Sequence, residues 1–259
     1  MLILLSLGIS AYAQKNPGPR LVSMGSGGTA MQGVWSLQKN PAGIAGLRKP
    51  IFAVAYQQHG LDQDLSTQSV VFIVPQGSSA LGLSLEKYGI ESYTELQAGL
   101  SFARQFGDLR LAIGGNYYQL AVAQYGRLQA FSIEAGFQYN LTDKFTLASH
   151  LANPGMIGDK NAEESGLPLT LSFGLSYRMS EQLVMIADLR QGMAYPVELM
   201  TGMEYHRIKC LYLRGGISVN PLKQYCGFGL TVKRMSMDAA VSFQSGLGYA
   251  PQIALAYEF

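Results

Sequence analysis

Charge is scarce in this 259-residue sequence: Asp, Glu, Lys and Arg make up 14% of it, against roughly 25% in ordinary soluble domains. Hydrophobic residues make up 48%, so much of the surface must face something other than water. No uninterrupted apolar run of about 18 residues occurs, which excludes a membrane-crossing helix and with it a polytopic helical protein. Net charge is only +2 with no lysine or arginine run, so the electrostatic footprint of a nucleic-acid binder is missing. The three histidines, His59, His150 and His206, lack a companion spacing for zinc. There is no Gly-x-Ser-x-Gly elbow, and the glycines match neither a phosphate-binding loop nor a dinucleotide fingerprint. The expectation is a protein without cofactor, metal or catalytic residues.

What is present is glycine (30), tyrosine (15) and phenylalanine (11), the mix suited to tilted strands with aromatic residues at two membrane boundaries. The chain ends on a strict alternation in which Ile253, Leu255, Tyr257 and Phe259 point one way and Ala254, Ala256 and Glu258 the other. A half-buried strand closing the chain on an aromatic residue resembles the terminal signature of bacterial outer-membrane barrels.

Similar segments recur from Pro50 onward, with no window of helical period. They are Ile51 to Gln57, Thr67 to Val74, Ala80 to Lys87, Tyr93 to Arg104, Leu109 to Ala121, Phe131 to Leu141, Lys144 to Leu151, Leu167 to Tyr177, Leu183 to Arg190, Val197 to Tyr205, Lys209 to Val219, Gln224 to Val232, Met235 to Gln244 and Gln252 to Phe259. That gives about fourteen strands, an even number as single-chain bacterial barrels require. The first two are almost wholly apolar, so their faces stay unassigned. Tight connections such as Thr142-Asp143 and Lys233-Arg234 alternate with mostly longer ones such as Gln58 to Ser66 and Ala152 to Gly166, the pattern of short periplasmic turns and longer outer loops. The fold class expected is therefore all-β, a transmembrane antiparallel barrel over residues 50–259. Hydrocarbon offers no hydrogen-bond partner, so the first and last strands must pair. A soluble sandwich or propeller would need more charge on its second face.

Met1 to Ala13 is apolar and ends in Ala11-Tyr12-Ala13, the small-x-small pattern of a secretory cleavage site, so residues 1–13 are expected to be a signal peptide. The basic n-region is missing, which leaves open whether Met1 is the true start. Residues 14–49 are too long for a linker and too poor in charge for a disordered tail. They are expected to form a plug in the lumen or across its periplasmic mouth, with Gly25, Gly27, Gly28, Trp35, Asn40, Pro41 and Gly43 as its candidate packing residues. The alternation places Glu95, Glu134, Asp188, Arg190, Glu198, Glu204, Arg214 and Asp238 on the inward face. They are read either as a selectivity lining or as ion pairs that brace the plug, the second reading being preferred. Cys210 alternates inward with Tyr212 and Arg214, whereas Cys226 joins the lipid-facing set with Phe228 and Leu230, so two free thiols are expected.

Gly18-Pro19-Arg20 through Met24-Gly25, then Gly28-Thr29-Ala30, Trp35 and Asn40-Pro41-Ala42-Gly43 resemble the amino-terminal signature of the PorV/PorQ family, a Bacteroidetes branch of the FadL-like outer-membrane barrels. Gly202-Met203-Glu204-Tyr205, Leu213-Arg214-Gly215-Gly216, Gly227-Phe228-Gly229-Leu230, Met237-Asp238-Ala239-Ala240 and Leu247-Gly248 resemble that family's closing strands in order. The resemblance implies a fourteen-strand barrel with an amino-terminal plug and, for PorV-type members, a part in type IX secretion and surface attachment. Its expected partners are outer-membrane lipid and secretion-system proteins or cargo. The alternative is a FadL-like transporter of hydrophobic small molecules, long-chain fatty acids or aromatics, across the outer membrane.

Overall fold

The computed structural model describes residues 16–60, 64–154, 169–192 and 196–259. The expected signal peptide lies outside them, as does most of the longest connection. Among the described residues, fourteen strands form one closed antiparallel barrel: β1 (Ile51–Gln58), β2 (Ser66–Gln76), β3 (Ser79–Ile90), β4 (Tyr93–Phe106), β5 (Leu109–Val122), β6 (Gly126–Asn140), β7 (Phe145–Ala152), β8 (Thr170–Arg178), β9 (Leu183–Gly192), β10 (Glu198–Ile208), β11 (Leu211–Val219), β12 (Lys223–Val232), β13 (Met235–Gln244) and β14 (Gly248–Glu258). Closure is made by β1 on β14, in register from Ile51 opposite Glu258 to Gln57 opposite Gln252. Every strand thereby has a hydrogen-bonded neighbour on both sides, which a lipid environment demands.

Alternation decides which face each residue takes. Phe52, Val54 and Tyr56, then Val70, Phe72 and Val74, then Leu81, Leu83 and Leu85 are exposed on the outside, and the row continues around the barrel to Ile253, Leu255 and Tyr257. An apolar exterior on this scale is stable only against another apolar medium. Exposed aromatic residues gather toward both ends, with Phe106, Tyr139, Tyr205 and Phe259 at one and Tyr56, Phe243 and Tyr249 at the other. The two apolar first strands resolve in the same way. Their inward residues, Ala53, Ala55, Val71 and Ile73, are apolar because they pack against chain inside the barrel and not against lumen water.

Both ends of the barrel chain, Ile51 and Phe259, lie at the end closed by tight turns at residues 77–78, 107–108, 209–210 and 233–234. β7 ends at Ala152 and β8 begins at Thr170, both at the opposite end. Several boundaries differ from the sequence pattern. β6 begins at Gly126, five positions before Phe131, because its first residues, 126–129, are exposed on both faces and so lose the two-sided contrast that alternation needs. β14 begins at Gly248 and runs through Pro251. His206 to Ile208, between the expected segments Val197 to Tyr205 and Lys209 to Val219, is strand with a register shift between Tyr205 and Ile208, which places the turn at residues 209–210. That shift also corrects Cys210: its thiol is exposed on the turn and not inward. Cys226 is exposed on the outer face of β12, and both thiols are free.

The candidate site: an inner segment seated on two unlike walls

Residues 16–49 run inside the barrel, from Asn16 beside Gln57 and Gln252 to Lys49 at the tight-turn end. They form a short helix α1 (Gly18–Val22) and two 3-10 turns, Val34–Gln38 and Pro41–Ile44. Helix α1 packs on β12 to β14, the Val34–Gln38 turn on β1 to β3 and the Pro41–Ile44 turn on β3 to β6. So short a helix is marginal on its own, and the wall around it supplies its stability.

Asn40 and Pro41 organise the second turn. The Asn40 side chain accepts from the Ala42 N–H at 3.1 Å as a cap, and Pro41 fills the first helical position with its φ already set. The same amide donates to the Thr29 carbonyl at 2.8 Å and to the Phe137 carbonyl on β6 at 3.1 Å. A Cβ on Gly43 would lie 2.4 Å from the Met31 carbonyl oxygen, so this turn closes only over glycine. Leu37, Ala42 and Ile44 are fully buried against Ala53, Val71, Ile73, Ala80, Ala103 and Ala112, an apolar contact contributed by β1 to β5.

Across the lumen the seating is different. Gly25 (φ +80°) and Gly28 (φ +111°) adopt left-handed conformations that bend the chain past β10 and β9. Gly27 passes Ile186 and Asp188. The wall answers with inward glycines, since a Cβ on Gly202 would meet the Met24 carbonyl oxygen at 2.4 Å and one on Gly216 would meet the Gly25 nitrogen at 2.2 Å. These wall positions have no side chain because backbone occupies the space.

The inward charges do the rest, and all eight sequence candidates lie on the inward face. Asp188, 1% exposed, accepts at one oxygen from the Gly28 N–H (2.9 Å), the Thr29 N–H (2.8 Å) and the Thr29 hydroxyl (2.7 Å). Glu204 takes both arms of the Arg20 guanidinium at 2.8 and 2.9 Å and the Arg214 Nε at 2.7 Å, and Arg214 reaches Asp238 at 2.6 Å. Two cations and two carboxylates thus form one continuous network joining α1 to β10, β11 and β13. Arg190 pairs with Glu198, Glu134 with His150 at 2.9 Å, and Glu95 with the Tyr93 hydroxyl near the far rim. The segment's own Lys39 donates to the Ser26 carbonyl at 2.8 Å; burial, with the nearby Arg190 charge adding to it, lowers its pKa to about 8. Arg20, Lys39, His150 and the inward glycines of the wall were not among the site candidates drawn from the sequence, because each takes its role from a partner distant in the chain.

Between the Arg20–Glu204 network and the tight-turn end lies a cleft of about 170 Å³, bounded by α1, residues 32–36 and the β11–β13 wall. Leu21, Val34, Trp35 and Tyr212 give it apolar surface, and Arg20, Arg214 and Asp238 give it charge.

No protein-family model and no curated protein matches the chain. Solved structures do match. The CymD monoaromatic hydrocarbon channel superposes with a TM-score of 0.73 at 14% identity, covering 96% of this chain and 99% of that one. The toluene transporter TodX of P. putida superposes with a TM-score of 0.68 at 13% identity, covering 95% and 99%. The likeness is one of fold. It corrects the expected PorV/PorQ membership, since the similar structures are hydrocarbon channels and nothing among them points to type IX secretion. The physical reason lies in the motifs that suggested it. Asn40-Pro41-Ala42-Gly43, Gly25, Gly28, Gly202 and Gly216 are what seating a backbone against a barrel wall requires sterically, so they report the architecture and not a secretion role.

Proposed function

We propose that this chain is a non-enzymatic channel of the bacterial outer membrane that admits hydrophobic small molecules, in the manner of a FadL-like transporter. In this reading residues 1–13 direct export, residues 14–49 are the plug and residues 50–259 are the barrel. Two-sided closure, the apolar exterior and the aromatic residues near both ends support residence in lipid. The fold shared with hydrocarbon channels supports the solute class.

The observation that carries the reading is the uneven seating of the inner segment. β1 to β5 hold the segment mainly by fully buried apolar contact, with Glu86 accepting from the Asn16 N–H and Gly82 passing Leu37, while β8 to β12 present glycines and β9 to β11 and β13 present more of the ionised groups, with a cleft left open on the β11–β13 side. Ion pairs and glycine contacts can separate and admit water, leaving Leu21, Val22 and Met24 as the hydrocarbon exposed, so the passage opens along that wall while the wider apolar contact opposite persists. The lumen-facing charges serve as braces of the plug first and as lining once it has shifted.

Uptake decides the matter. The full chain is expressed in a Gram-negative host stripped of its own hydrophobic-solute channels, and entry of a labelled monoaromatic is followed beside that of a sugar of similar mass. Faster entry of the aromatic alone is expected. Equal acceleration of the sugar would mark a general pore, and no acceleration of either would end the channel reading.

A further inference from the structure

We infer that the tight-turn rim of the barrel is a binding surface for anionic phospholipid headgroups. The inference goes beyond the channel reading: it rests on the barrel's residence in lipid and is independent of what the lumen passes.

The whole chain has a net charge of only +2, yet its tight-turn end carries nine exposed cations. Lys144, Arg207, Lys209, Lys233 and Arg234 sit in or beside the turns. Arg104 and Arg178 lie near the ends of β4 and β8, and Arg48 and Lys49 lead into β1. Against them stand four carboxylates, Asp108, Asp143, Glu181 and Glu258. Of the nine cations only Lys49 is ion-paired among the described residues, to Glu258 at 2.6 Å. At the opposite end the exposed charges of the described residues cancel, Lys87 and Arg127 against Asp64 and Glu91. The excess of positive charge is therefore a property of one rim.

Placement separates lipid from a protein partner. The two-residue turns at 209–210 and 233–234 keep their cations at the level where the strands leave hydrocarbon. Exposed apolar side chains flank them: Ile208 lies between Arg207 and Lys209, Val232 and Met235 bracket Lys233 and Arg234, and Met179 follows Arg178. Arg104 lies on the outer face of β4 with its guanidinium over the Phe106 ring, 5.1 Å from the centroid. Lysine and arginine so placed lay their stems along apolar surface and hold the charge at headgroup level, where boundary aromatics also sit. The cations run round the circumference, from the entry to β1 past β4, β7 and β8 to β10 and β13. A folded partner would meet one arc or the mouth of this ring, whereas annular lipid meets all of it. With the tight turns toward the periplasm, as their lengths predict, the rim lies in the phospholipid leaflet.

Spin-label EPR of the full-length protein reconstituted in phosphatidylcholine vesicles separates lipid held at the barrel from bulk lipid. One lysine or arginine close to an anionic headgroup favours it roughly fivefold. Averaged over both ends of the barrel, chain-labelled phosphatidylglycerol should be preferred to labelled phosphatidylcholine by at least about twofold at low salt. At about 1 M salt, where the Debye length falls to about 3 Å, the preference should vanish. The combined variant Lys144→Gln, Arg207→Gln, Lys209→Gln, Lys233→Gln and Arg234→Gln, shown folded by heat-modifiable gel migration, should lose most of it, and Lys87→Gln with Arg127→Gln at the opposite end should keep it. Should the combined variant not fold, the salt series on the unmodified protein decides. Equal retention of the two lipids, a preference that survives high salt or the combined substitutions, or one lost with Lys87→Gln and Arg127→Gln would each overturn the inference. Saturable binding of a polyglutamate peptide to the detergent-solubilised protein without any lipid preference would assign the rim to an acidic protein instead. Lipid held without selectivity fails this inference and leaves the barrel in its membrane; with selectivity and no aromatic uptake, the channel reading fails and the rim stands.

Discussion

Two halves of one inner segment meet two kinds of wall. The Val34–Ile44 half presses Leu37, Ala42 and Ile44 into an apolar surface made by β1 to β5. The Gly18–Thr29 half lies against β8 to β14, where Leu21 and Met24 join the larger apolar cluster, Val22 packs with Tyr225 and Ala240, and Arg20 on Glu204, Asp188 on backbone N–H groups, and backbone on glycine add to the contact. Ile186 on β9 and Ala254 on β14 are buried wall residues of that side within the larger apolar cluster, with Val184 and Ala256 partly buried against it. The first half is held mainly by excluded water, whereas the second adds geometry and charge to the burial of Leu21, Val22 and Met24. The added polar share of the second half can be rehydrated, so the fold tells where it yields first.

The contrast between the halves breaks most completely at the glycine seats. Gly216→Val puts atoms where the Gly25 nitrogen sits, 2.2 Å from the first added carbon, so α1 cannot dock at all. Protease cleavage within residues 18–30 should become rapid while heat-modifiable migration of the barrel persists. Next in size is Glu204→Ala, which strands Arg20 and Arg214 without their shared carboxylate. Removing one partner of a buried pair costs about 3–5 kcal/mol, and the 29% exposure of the Arg20 side chain places this one near the lower bound. The loss should appear as faster hydrogen exchange in α1 with the Pro41–Ile44 turn unchanged. Ile44→Ala, at about 2–5 kcal/mol for a fully buried aliphatic, should act the other way, loosening the Pro41–Ile44 turn first.

The smallest effect is a pH slope. Lys39 titrates near 8 in the folded protein and near 10.5 in the unfolded chain, so between those values the unfolded state holds more protons and folding gains stability as pH rises. Below about 8 the buried charge imposes its full penalty. Chemical unfolding of the solubilised protein across pH 7.5 to 10.5 should show this rise, and Lys39→Met should flatten it.

The barrel was legible in the sequence because a strand with lipid outside and polar chain inside must alternate, and fourteen such runs were countable. The inward set from Asp188 to Asp238 was legible for the same reason, as polar residues between apolar ones. Partners were not. Arg20 and Glu204 are 184 positions apart, and nothing local to Gly202 or Gly216 says that a backbone lies over them. Ile51 to Gln57 and Thr67 to Val74 gave no face because both of their environments are apolar, lipid on one side and the inner segment on the other. Cys210 was misplaced by a register shift, which period-two reasoning cannot foresee.

Residue-resolved hydrogen exchange on the solubilised, unmodified protein tests the uneven seating most directly. Amides of residues 20–29 should exchange through a lower-cost local opening than those of residues 40–47, with acceleration at raised salt confined to the first group. Equal protection of both groups, or a salt response in residues 40–47 alone, would contradict it.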